Sequence, residues 1–132
     1  MLLITKNIHD DLVAHAKEGF PLEVCGILGG TGESVSAIYR MTNTDASNEH
    51  FMMDPKEQFT VVKDLRSKDL SMLAVYHSHP ETPARPSEED IRLALTPGVS
   101  HVIISLADAL QPVVKSYKID QGEVSLEVLE IV

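Results

Sequence analysis

YHSHPETPARPSEEDIRLAL, residues Tyr76 to Leu95, holds two histidines one residue apart, a proline-rich loop, and a serine and an aspartate three positions apart. In an extended segment side chains alternate faces, so His77 and His79 point one way and Ser78 the other. A helix that begins near Ser87 puts Ser87 and Asp90 on one face, looking back toward the imidazoles. Pro80, Pro83 and Pro86 restrict the backbone between the two groups and hold the intervening loop extended at low entropic cost. Two imidazoles and a carboxylate suit Zn²⁺, which takes nitrogen and oxygen ligands at about 2.0–2.2 Å, and three protein ligands leave the fourth tetrahedral position open, as catalytic zinc sites do.

Working outward, Ser71–His77 reads as an apolar strand that delivers the histidines at its C-terminal end, the usual place for a site in an α/β arrangement. Ser87–Leu95 reads as a short helix packing through Ile91, Ala94 and Leu95 and stopped by Pro97 and Gly98. Upstream, Asn7 caps a helix with the inward stripe Ile8, Leu12 and Ala16, ended by Gly19 and Pro21. Glu23 leads into CGILGG, a short apolar strand. Ser34–Met41 alternates as a strand with Val35, Ala37, Tyr39 and Met41 on one side. Asn43–Asn48 is loop. Asp54, Pro55 and Glu57 start a helix whose buried side is Phe59, Val62 and Leu65. Downstream, His101–Leu106 is a buried-type strand, and Pro112–Asp120 with Glu123–Val132 forms a closing hairpin turned at Gln121 and Gly122. The expectation is one α/β domain over residues 1–132, without repeats or a composition shift.

The 132 residues are enough to bury a core without disulfides or a structural metal, so a metal here serves chemistry. The 11 Lys and Arg against 20 Asp and Glu give a net charge of −9, and with no basic cluster the chain suits neither nucleic acid nor an anionic membrane. No signal-type N-terminus and no apolar run of about 18 residues is present, which points to a soluble, cytoplasmic protein. The lone cysteine, Cys25, excludes an internal disulfide and a cysteine-rich zinc site and fits a reducing compartment.

Amide hydrolysis beside a zinc ion also needs a group that takes a proton and passes it to the leaving nitrogen. Glu23, flanked by Leu22 and Val24 ahead of an apolar strand, is the candidate. Burial raises its pKa and a neighbouring cation lowers it, and the residues leave the balance open. Ser87 can donate its hydroxyl to a carbonyl oxygen as charge develops there. Each residue has an ordinary reading too. Ser87 and Asp90 form a capping box, a role compatible with the site. Glu23 alone is a strand-edge acid, and Cys25, two residues on, reads as core, with an oxidisable thiol near the metal as the alternative. His9, His15, His50 and His101 read as surface or core histidines.

Together these residues resemble the JAMM metalloproteases, also called JAB or MPN-plus domains: an upstream Glu, His-Ser/Thr-His-Pro, a spacer of about seven residues and Ser-x-x-Asp. Glu23 matches the acid, His77, Ser78, His79 and Pro80 the core, Glu81–Pro86 the spacer, and Ser87 and Asp90 the end. PLEVCGILGG, FMMDP before a helix, and the closing strands resemble the compact prokaryotic members. The resemblance implies a single JAB/MPN-like α/β fold, a central mixed, mostly antiparallel sheet flanked by about three helices. It implies one Zn²⁺ on His77, His79 and Asp90, Glu23 as general base and acid, and Ser87 supporting the tetrahedral intermediate. The run HSHPETPARPSEEDIRLALTPG resembles the bacterial branch that acts on ubiquitin-like sulfur-carrier proteins after a C-terminal Gly-Gly. On that reading Arg85 contacts the partner's backbone or acidic surface; otherwise it is solvated. The alternatives are a JAMM-type peptidase on other small peptides and a metal-free MPN scaffold, which loses ligands that this chain retains. A zinc deaminase needs a Pro-Cys-x-x-Cys pair that one cysteine cannot supply.

Overall fold

The computed structural model describes residues 1–132. In chain order the elements are β1 (Leu2–Ile4), α1 (Lys6–Gly19), β2 (Cys25–Thr31), β3 (Ser34–Met41), α2 (Pro55–Ser67), β4 (Ser71–His79), α3 (Glu88–Arg92), β5 (Ser100–Ser105), β6 (Val113–Asp120), β7 (Glu123–Glu127) and β8 (Leu129–Ile131). The eight strands form one mixed sheet in the order β7-β6-β5-β4-β2-β3-β1-β8. The pairings of β2 with β3 and β4 and of β6 with β5 and β7 are antiparallel, whereas β4 runs parallel to β5. No helix is long and apolar enough to cross a membrane.

β7 and β8 lie at opposite ends of this order, yet only Val128 separates them in sequence. One residue spans about 3.5 Å, so the sheet must curl until its two ends meet. The N–H of Leu2 donates to the Val128 carbonyl at 2.9 Å where they do. The curl surrounds α1, whose Ile8, Leu12 and Ala16 pack with Leu28, Tyr76, Val102 and Ile104 in the larger core. On the opposite face α2 covers Cys25, Ile27 and Met41 through Val61 and Leu65. Ala84 of the proline loop packs there on Ile103 and Tyr117.

Several local expectations are revised. Thr5, not Asn7, caps α1, its hydroxyl accepting from Ile8 N at 3.2 Å. The sheet begins with β1, too short to show a period in sequence. The stripe Val35 to Met41 is split by a bulge: Gly29 pairs with Ala37 and Gly30 with Val35, so Ser36 is skipped. Side chains change faces across such an extra residue. Val35 therefore packs on the α1 side and Tyr39 and Met41 on the α2 side. Asp54 caps α2 as expected, but Val61 and Leu65 are its buried residues and Phe59 is 66% exposed. α3 ends at Arg92, buries none of its residues, and leaves Leu95 exposed. The closing hairpin turns at Gln121 and Gly122, both with positive φ, as a tight two-residue turn requires. It ends at Glu127, because β8 crosses to pair with β1.

Candidate metal and catalytic centre

β4 enters the site from a buried strand, and its alternation sets the roles of three consecutive residues. His77 and His79 are buried on the α2 face, while Ser78 points the other way and its Oγ accepts from Val24 N at 2.9 Å. The His77 and His79 Nε2 atoms lie 3.1 Å apart, and Asp90 Oδ2 is 3.1 Å from each. Asp90 arrives from the start of α3, where Ser87 N donates to its Oδ2 at 2.9 Å and Asp90 N donates to Ser87 Oγ at 3.0 Å. The capping box and the convergent carboxylate are one structure. His79 Nδ1 lies 2.9 Å from the Pro83 carbonyl, which only accepts, so Nδ1 carries a proton, and the ring turns its Nε2 toward the cluster, where loss of the Nε2 proton exposes a lone pair. The proline loop thus supplies an orienting acceptor as well as length. Phe51 stacks on His77 at 4.6 Å and 25°.

These three donor atoms can hold a metal ion. Ligands at 2.0–2.2 Å around a tetrahedral ion stand about 3.3–3.5 Å apart, close to the 3.1 Å edges of this triangle. Burial is the largest single influence on each of the three, but it sets the net direction only at His77. It lowers the His77 pKa against the pull of Asp90. At His79 the same burial is outweighed by Asp90 and the Pro83 carbonyl, and the net shift is upward. Burial would raise Asp90, but its bonds to both imidazoles hold it well below the usual carboxylate range, so it stays ionised as a ligand must.

Glu23 lies just ahead of β2, 5% exposed, and its Oε1 has no hydrogen-bond partner. Burial lifts its pKa from 4.5 to about 7, with the charge of His79 opposing and that of Asp90 adding to the rise. A carboxyl poised near neutrality can both take and return a proton. Cys25 is registered opposite His77 across the sheet and fully buried, and burial pushes its thiol up to about 12, which leaves it a core residue rather than a reactive thiolate. The Arg85 side chain is exposed on the proline loop and makes no ion pair or hydrogen bond.

Beside His77 and Asp90 opens a cleft of about 230 Å³, lined among others by Phe51, Met53, Val75, Leu93 and His101. His101 read as an ordinary residue in sequence, yet its Nε2 is buried without a partner in this wall. Asn43 and Phe51 were also missed. Asn43 donates to the Glu23 carbonyl at 3.1 Å, across 20 residues, and no spacing rule announces such a contact.

The sequence matches the family described as prokaryotic homologs of the JAB domain over residues 5–120. It is 32% identical to the CysO-cysteine peptidase of Mycobacterium tuberculosis (strain ATCC 25618 / H37Rv) over 134 residues, covering 100% of this chain and 92% of that one. It is 32% identical to a desampylase of Haloferax volcanii over 79% of this chain and 80% of the relative. A solution structure of a protein from Desulfitobacterium hafniense superposes with a TM-score of 0.89 at 46% identity, over 100% of this chain and 94% of that one.

Proposed function

The chain belongs to the prokaryotic JAB domain family, and on that premise we propose that residues 1–132 act as one zinc metallopeptidase that hydrolyses the amide bond after the C-terminal Gly-Gly of a small ubiquitin-like sulfur-carrier protein. The observation that carries this reading is the triangle of donor atoms with 3.1 Å edges beside a buried, unpartnered carboxyl. His77, His79 and Asp90 hold one Zn²⁺. When bound, the ion polarises a carbonyl and acidifies water, and its imidazole and carboxylate ligands suit zinc. Glu23 takes the proton of the attacking water and returns it to the leaving nitrogen, a shuttle that suits a carboxyl raised to about 7. Ser87 Oγ uses a lone pair on Asp90 N, which leaves its O–H free to donate to the developing oxyanion. Arg85, free on the proline loop, meets the carrier's backbone or an acidic surface on it. The names of the mycobacterial and haloarchaeal relatives support the substrate class. In this reading the enzyme works in the cytoplasm, where a lone thiol such as Cys25 stays reduced.

The test uses the zinc-loaded protein, a carrier protein ending in Gly-Gly-cysteine, and the same carrier joined through Gly-Gly to a lysine side chain. Mass spectrometry is expected to find a free Gly-Gly terminus with at least one of them, and none with Glu23→Gln. Intact substrates after incubation with fully zinc-loaded enzyme would sink the proposal. A zinc content near zero in protein purified without chelator would favour the metal-free scaffold.

A further inference from the structure

We propose that Asn43 is a positioning residue for Glu23, its side-chain amide clasping the backbone of the proton-transfer residue to the loop that also packs on a metal-ligating imidazole. This rests on the reading of Glu23 as general base. Glu23 stands ahead of β2, outside the regular ladder, and its main-chain groups turn instead to the loop between β3 and α2. Its N–H donates to the Ser47 carbonyl at 2.8 Å, and its carbonyl accepts from Asn43 Nδ2 at 3.1 Å. The carboxyl end offers no comparable anchor, because Oε1 is buried without a partner. The position of the acid is therefore set largely through its backbone.

Asn43 is equipped to set it. Nδ2 also donates to the His50 carbonyl at 3.1 Å, while Oδ1 accepts from Asp45 N at 3.0 Å and from Met52 N at 3.1 Å. Two donors and two acceptor sites are all that a primary amide has. Every one is used, so a flipped amide would set donors against donors and carbonyls against its oxygen. The same loop forms a bridge between Asn43 and Met53, and Phe51 within it stacks on His77. One side chain thus couples the acid, the imidazole and the wall of the cleft.

Asn43→Asp keeps the shape and removes both donors, leaving the Glu23 and His50 carbonyls facing an acceptor. Asn43→Ser, neutral and smaller, serves if the charged variant does not fold. Steady-state hydrolysis of the Gly-Gly-cysteine carrier and zinc content are measured for both variants and for Glu23→Gln. The expected result is a kcat lower by about 10- to 100-fold, the scale of a misplacement of about 1 Å, with KM within about twofold and zinc unchanged. Loss of zinc, or a rise in KM at constant kcat, overturns the proposal, since the loop would then serve the metal or the substrate. Glu23→Gln inactive with kcat intact in the Asn43 variants overturns the proposal alone. Glu23→Gln active overturns the general-base reading itself, and the proposal with it.

Discussion

Glu23→Gln replaces a carboxyl with an amide of the same shape at a site that is 5% exposed. In the metal-free protein burial raises this carboxyl from 4.5 to about 7. The folded protein thus keeps a proton that the unfolded chain has already released. Stability therefore falls as pH rises from 4.5 toward 7, and above that range the full penalty of a buried charge remains. The full shift corresponds to about 3 kcal/mol, and screening by nearby solvent reduces it to about 2 kcal/mol. Glutamine carries no charge at any pH and escapes this penalty. In chelator-treated protein, thermal unfolding should show Glu23→Gln to be more stable than the parent by about 2 kcal/mol at pH 8, roughly 6 °C in Tm for a chain of this size. At pH 4.5 the advantage shrinks to a few tenths of a kcal/mol. An equal gain at both pH values, or none at pH 8, would refute burial as the origin of the raised pKa. The zinc-loaded variant is expected to keep its metal and lose hydrolysis, because an amide cannot cycle a proton.

Asp90→Ala removes the oxygen shared by both imidazoles and should release zinc, read by metal analysis, with hydrolysis falling below detection. Full metal and full activity would remove Asp90 from the site. Ser87→Ala deletes both the α3 cap and the free hydroxyl. The expected costs are about 1 kcal/mol of stability and about a 100-fold lower kcat, and a lower Tm with kcat intact would leave Ser87 only its capping role. Gly26→Ala sets a methyl group 2.2–2.4 Å from the Cε2, Cζ and hydroxyl oxygen of the fully buried Tyr76, whose hydroxyl bonds His15 Nδ1 at 2.7 Å. Overpacking of this kind costs about 1–3 kcal/mol, so Tm should fall by several degrees, and an unchanged Tm would show that the sheet shifts freely there.

What sequence alone determined is the part of the protein that obeys short periods. His77 and His79 share a face because a strand repeats every two residues, and Ser87 and Asp90 meet because a helix start joins positions three apart. Strand or helix type followed for most segments for the same reason. Periodicity failed where an extra residue, Ser36, turned the stripe of β3 over, and where β8 left its hairpin to close the sheet against β1. Only the tertiary structure decided the state of Glu23. Its burial, its pKa near neutrality and its clasp by Asn43 are sums over groups that lie near in space and far along the chain. Local spacing carries a candidate ligand set, whereas the dielectric around a charge exists only once the chain has closed around it.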